Sequence, residues 1–265
     1  MNRFQGKTAI VTGGAGTNIG GAITRRLADE GACVGILDLD ADAGRTIESE
    51  VIESGGEAMF YRADLTDAMS TEAAIESVVN TYGEVDILVN NVGLALGTTL
   101  EAIDEETLYR DFEINFKSAF LATKISLPFL QESEGNVIFI SSVNALLGGF
   151  SEVTYSSAKA GLHSLCRGLT ADYGPDGVRF NVIAAGSVIG DSEVWRERER
   201  NDPGLIERIE ELYPLQRHGL PEDIADATAF LASEEAAWIS GVVLPVDGGI
   251  SATGGLSGRD WWNGL

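Results

Sequence analysis

The chain predicts one α/β domain: a doubly wound, seven-stranded parallel sheet with helices on both faces, three layers in all. Three observations predict it. Short apolar runs alternate with segments of helical spacing through the first 90 residues, and again from residue 136 onward. Several of those runs are apolar throughout rather than at every second residue, as strands covered on both faces are. Glycine makes up 32 of 265 residues without a collagen-like period, which assigns it to tight turns and close approaches. Strict alternation of strand and helix gives parallel strands joined by right-handed crossovers.

Each element follows in order. Thr8 to Thr12 (TAIVT) is a strand that stops at glycines. Ile19 to Glu30 is helical, with Ile19, Ile23 and Leu27 on one face. Cys33 to Leu37 is a strand ending at Asp38, and Ala41 to Glu53 a helix ended by Gly55-Gly56. Ala58 to Tyr61, a helix over Ala73 to Tyr82, and Val85 to Val89 complete the first half. Leu100 to Leu130 carries a long helical pattern, Asn136 to Ile140 a strand, and Tyr155 to Tyr173 a helix rich in small residues. Val178 to Ile183 is the sixth strand, Pro221 opens a helix to Leu231, and Gly241 to Val246 is the seventh strand. Between them, 190–212 breaks the pattern with dense charge and is read as a lid. No linker or repeat interrupts 1–265.

Composition excludes other classes. Eighteen Lys and Arg against 41 Asp and Glu leave −23, which repels a nucleic-acid backbone and an anionic membrane surface. No run reaches the roughly 18 apolar residues of a membrane span, and the N-terminus does not read as a signal peptide. Cys33 and Cys166 lie in apolar stretches without metal-ligand spacing, so the expectation is buried free thiols in a reducing, cytoplasmic setting and no metal.

The chemistry starts at Thr12-Gly13-Gly14-Ala15-Gly16-Thr17-Asn18-Ile19-Gly20-Gly21. A glycine-rich turn between the first strand and first helix lets backbone amides approach a pyrophosphate, and the helix N-terminus favours its charge. Asp38 lies 18 residues after Gly20, at the end of the second strand. A carboxylate there accepts ribose hydroxyls and repels a 2′-phosphate, and no Lys or Arg lies between Gly13 and Gly21, so NAD is expected over NADP. Asp64 and Leu65 fit the adenine, Gly93 permits a close backbone approach, and Asn90 is expected to brace strands.

Tyr155 and Lys159 are four apart on one helix face, and Ser142 sits just beyond the fifth strand, where open parallel sheets bind ligands. Alcohol oxidation by hydride transfer needs the hydroxyl proton removed. A free tyrosine, with pKa near 10, is only about 0.1% phenolate at pH 7. A neighbouring ammonium would favour the anion, and Ser142 could hold the substrate oxygen.

Together these residues resemble the short-chain dehydrogenase/reductase family, with its Rossmann-like fold, in the compact single-domain branch. The resemblance spans nearly the whole chain. It is carried by the glycine turn, Asp38, Asp64, Asn90-Asn91-Val92-Gly93, Asn115, Ser142, Tyr155 with Lys159, Asn181, Pro221-Glu222-Asp223 and Val246-Asp247-Gly248-Gly249. It implies catalytic Ser142, Tyr155 and Lys159, with Asn115 holding a water that links Lys159 to solvent, and it implies a homotetramer. The cofactor contacts expected are Gly13, Asn18, Ile19, Asp38, Asp64, Leu65, Asn91, Gly93, Tyr155, Lys159 and Val188. Two departures stand out: Asn18 occupies a usual glycine position, and Gly190 a usual threonine position, leaving Ser187 or Ser192 to replace it.

The substrate is read as a secondary alcohol or ketone, apolar, aryl or cyclic, from Leu94, Leu96, Val143, Asn144, Phe150 and Trp195 on segments expected to rim the site. Trp261 and Trp262 are assigned to a subunit interface, His163 to packing and His218 to structure. A sugar or polyol dehydrogenase and a catalytically silent NAD sensor are the alternatives.

Overall fold

The structure is a computed structural model that describes residues 2–96, 99–148, 152–191 and 193–253. Phe150, Ser192, Trp261 and Trp262 lie outside the described residues. Seven strands form one sheet: β1 (Thr8–Thr12), β2 (Cys33–Asp38), β3 (Glu57–Arg62), β4 (Ile87–Asn90), β5 (Asn136–Ser142), β6 (Arg179–Ala185) and β7 (Val243–Val246). All pairings are parallel, in the order β3-β2-β1-β4-β5-β6-β7. The winding reverses between β1 and β4, which opens a crevice above their carboxyl ends.

The fully apolar strands divide residue by residue between two cores. Ile10, Leu88, Val137, Phe139 and Val182 face α3 (Ala68–Tyr82), α5 (Ser118–Glu132) and α6 (Val153–Tyr173). Val11, Ile36, Val89, Ile138 and Ile183 face α1 (Ile19–Asp29), α2 (Ala41–Glu53) and α9 (Pro221–Ala232). The period of two is present in the packing and hidden in the sequence, because each side of the pleat is covered.

Helix starts follow from their caps. Asp40 accepts the amides of Asp42 and Ala43 at the head of α2, and Asp67 accepts that of Ser70 at the head of α3. The Asp67 cap explains why α3 begins at Ala68, five residues before the first apolar repeat.

Several expectations need correction. The helical pattern at 100–130 is not one helix. A short 3₁₀ turn (Leu100–Ala102) precedes α4 (Glu105–Phe112), a π-helical turn (Glu113–Lys117) and then α5. The charged excursion contains α7 (Glu193–Asn201) and α8 (Leu205–Leu212), and a short α10 (Ile250–Thr253) follows β7. Of the two thiols only Cys166 is buried, donating to the Phe180 carbonyl, while Cys33 is half-buried at the β2 edge, 3.4 Å from the Glu57 carboxylate.

Candidate active site

A cleft of about 1080 Å³ lies over the carboxyl ends of the strands. Its lining includes all eleven expected cofactor residues together with Ser142. Asn115 is not on that surface; it is fully buried just behind it.

The glycine turn is held from below. Asn91 donates its side-chain amide to the Gly13 carbonyl (2.8 Å), and Thr24 donates its hydroxyl to the Gly14 carbonyl (3.0 Å). Gly20 is glycine for a steric reason, since a Cβ there would stand 1.9 Å from the Gly13 carbonyl oxygen. The turn thus folds directly onto the first coil of α1. Asn18 precedes α1 without a side-chain cap bond, and no acid occupies the first turn. Uncapped amides on a positive helix end fit a phosphate. The Asp38 carboxylate accepts the Ala15 amide (3.1 Å) and the Asp40 amide (3.1 Å), one on each oxygen. Each oxygen keeps acceptor capacity toward the cleft. These features fit a dinucleotide.

Asp64 is more tightly engaged than its sequence position indicated. It accepts both the amide and hydroxyl of Thr66, which hold its carboxyl below the usual range. Asn90 spans to Thr123 (2.9 Å) as a structural brace, and Asn181 ties β6 to the segment before β7 through Ile239 and Val242.

At the other end, β5 extends to Ser142 as its last residue, and α6 carries Tyr155 and Lys159 on its first two turns. The buried Lys159 ammonium donates to the Val92 carbonyl (3.2 Å) and the Ile140 carbonyl (3.0 Å). Its place is kept open by Gly93, where a Cβ would lie 2.7 Å from Nζ. Burial pushes Lys159 down to about 8. Tyr155 is pushed up to about 12, chiefly by burial, with the Ser142 hydrogen bond acting against it and Glu152 and Asp111 adding to it. Burial thus outweighs every neighbouring group at the phenol. The ammonium lies 5.9 Å from the phenol ring centroid, and its hydrogen bonds go to main-chain carbonyls.

Asn115 braces the loop from behind. Its side chain clasps the Leu94 backbone at both ends: Nδ2 donates to the carbonyl (2.8 Å) and Oδ1 accepts from the amide (3.0 Å). Nδ2 also donates to the Asp111 carbonyl. The side chain therefore positions the loop beside Lys159.

Toward the substrate end, Leu94, Val143, Asn144 and Trp195 line the cleft, and Leu96 does not. The Leu96 amide instead donates to buried Asp111, whose carboxylate also receives the Thr154 hydroxyl. Ser187 and Val188 line the wall left by Gly190, and the Thr17 hydroxyl donates to the Asp191 carbonyl, joining the glycine turn to the start of the charged excursion. His163 packs against the Ser141 hydroxyl (2.8 Å), and His218 against Glu210 (2.7 Å). Among the described residues no cluster of His, Cys, Asp or Glu could hold a metal, and no helix is long and apolar enough to cross a membrane.

Arg110, Glu152 and Arg198 also line the cleft, and sequence reasoning missed them. Each sits in a charge-rich stretch where nothing in the spacing sets it apart.

A family model described as enoyl-(acyl carrier protein) reductase matches residues 14–251. The chain belongs to the short-chain dehydrogenase/reductase family. It is 34% identical over 248 residues to 7alpha-hydroxysteroid dehydrogenase of Escherichia coli, covering 93% of this chain and 95% of that protein. It is 34% identical over 254 residues to 2-(S)-hydroxypropyl-CoM dehydrogenase 3 of Xanthobacter autotrophicus, covering 95% and 99%. A Serratia marcescens short-chain dehydrogenase/reductase mutant superposes with a TM-score of 0.85 at 31% identity, covering 94% of this chain and 99% of that one. The chain is thus an oxidoreductase of this family, and the seven-stranded sheet is its Rossmann-like fold.

Proposed function

We propose that the protein transfers hydride between NAD(H) and a secondary alcohol or ketone with an apolar, aryl or cyclic body. One observation carries the reading: Ser142, Tyr155 and Lys159 open onto the same cleft as the glycine turn and Asp38. The relatives named above act on secondary alcohols by their names, which supports the class.

Bound NAD supplies the hydride acceptor and, in its oxidised form, a positive charge beside the phenol. The protein's own groups do the rest. Asp38 receives the adenosine ribose, and its charge disfavours a 2′-phosphate there. Ser142 donates to the substrate oxygen as negative charge develops on it. In the reduction direction Tyr155, protonated at neutral pH, donates its proton to the carbonyl oxygen. In oxidation it must accept that proton, which requires cationic charge near it to offset burial. Lys159 supports this from Gly93's side and hydrogen-bonds the nicotinamide ribose. Asn115 keeps the Leu94 loop in register with it.

The segment 190–212 acts as a lid over the bound pair, and the single domain spans residues 1–265. Exposed Tyr109 and Phe112 on α4 and Phe120 on α5 form an apolar face that supports a homotetramer, to be checked by light scattering. The charge and unpaired thiols support a cytoplasmic location.

The test is NADH formation across a panel of secondary alcohols, with Tyr155→Phe alongside. The variant should lose at least about a thousandfold in kcat/KM, within the usual range for removing a general acid–base group. Unchanged oxidation by Tyr155→Phe would defeat the mechanism. NAD binding without turnover of any alcohol, sugar or polyol would favour a sensor.

A further inference from the structure

We propose that the substrate carries an anionic group, a carboxylate, away from its reacting carbinol, and that Arg198 selects it. The proposal rests on the dehydrogenase reading above and names its substrate class.

In a chain of net charge −23, cations find acids readily, and the arginines around this cleft show it. On the lid, Arg196 pairs with Asp191 and Glu193, Arg200 with Glu193, and Arg208 with Asp202. Arg110, another lining residue, pairs with Glu113. Arg198 lines the cleft and has no carboxylate within ion-pair distance among the described residues. Its guanidinium lies 4.9 Å from the centroid of the Trp195 ring, another lining residue. A cation–π contact neutralises no charge, so the planar N–H edge of the guanidinium keeps no acid partner among the described residues. Such an edge matches a carboxylate with two parallel hydrogen bonds.

The opposing wall gives the direction. Glu152 lies three residues before Tyr155, and its Oε2 accepts the side-chain amide of Asn144, two residues after Ser142. That pair stands beside the reacting hydroxyls. Arg198 attracts Glu152, yet the two form no ion pair. A substrate anion placed on Arg198 would complete a charge that the protein leaves uncompleted. The charge of Glu152 would oppose that anion, so the two residues should act with opposite sign.

The experiment uses the full chain saturated with NAD, which cannot reduce a ketone, and titrates ketones by calorimetry. The probes are 4-acetylbenzoate and 3-(4-acetylphenyl)propanoate, each against its primary amide. One acid or both should bind about ten- to a hundredfold more tightly than the amide, as a charge-assisted pair provides. Arg198→Met should bring the ratio to within about twofold, by the same reasoning. Glu152→Gln should widen it. Arg196→Met, on the same helix but paired with Asp191, controls for damage to the lid and should keep the wild-type ratio.

Equal binding of acids and amides by the wild type overturns the proposal, and so does a preference that survives Arg198→Met. A loss of NAD affinity in Arg198→Met with the acid preference intact would place the guanidinium on the cofactor and also overturn it. The two readings fail separately. If neutral alcohols form NADH while acids gain nothing, only the anion assignment falls. If no secondary alcohol, charged or neutral, forms NADH, the dehydrogenase reading falls.

Discussion

Lys159→Met should make the pH dependence of stability visibly different from that of the wild type. The folded chain holds this ammonium at about 8, against an ordinary value of 10.5, because burial strips its water. A gap of about 2.5 units, at about 1.36 kcal/mol each, costs the folded state about 3 kcal/mol at pH 7. The sign follows from proton counts. Between the two values the unfolded chain holds a proton that the folded chain has released, so stability rises with pH. By pH 10 the cost falls to about 1 kcal/mol, a relative gain of about 2 kcal/mol. Methionine has the stem without the charge and shows no such gain. The assay is urea unfolding of both proteins without cofactor, at intervals from pH 7 to 10 and one protein concentration. Subtracting the curves cancels the groups they share. A difference that stays flat across that range would refute a desolvated ammonium held on the Val92 and Ile140 carbonyls.

Three further outcomes are expected. Gly93→Ala puts a methyl 2.7 Å from the Lys159 ammonium, so kcat should fall about tenfold or more while the chain still folds, checked by steady-state rates and circular dichroism. Asp38→Asn keeps the Ala15 contact but gives up the charge, so the NAD-over-NADP ratio of kcat/KM should drop by about tenfold, roughly one charged hydrogen bond. Hydrogen exchange over 193–212 should slow when NAD and a ketone are added together, and equal protection with and without them would argue against a lid.

The strands were legible because a parallel sheet writes its core as unbroken apolar runs, and β1 and α2 fall where those runs and their punctuation put them. Ser142, Tyr155 and Lys159 were legible because strand end and helix spacing bring them to one place. What could not be read depends on contacts distant in sequence. Asp111 is one acid among 41 until Thr154 and the Leu96 amide close around it. The helices of the charged excursion hid because Glu193–Asn201 has almost no apolar repeat and is supported by ion pairs such as Arg200–Glu193. The burial that raises Tyr155 was not visible in the sequence, where only the neighbouring cation and an oxidised nicotinamide could be counted. Cys33 read as interior because its neighbours are apolar, yet it opens β2 at the rim.

The π-helical turn at Glu113–Lys117 joins α4 to α5 with one residue more than an α-helix would use. Deleting a single residue there would let the rod close into an unbroken α-helix, with α4 and α5 in nearly the phase they have now. Asn115 would lose the bulged position from which it clasps the Leu94 backbone, while the apolar stripe of α5 would keep its face toward the sheet. The extra residue at this junction therefore shapes the Leu94 loop and not the packing of the rod, so its loss would be felt at the cleft before it is felt in the core.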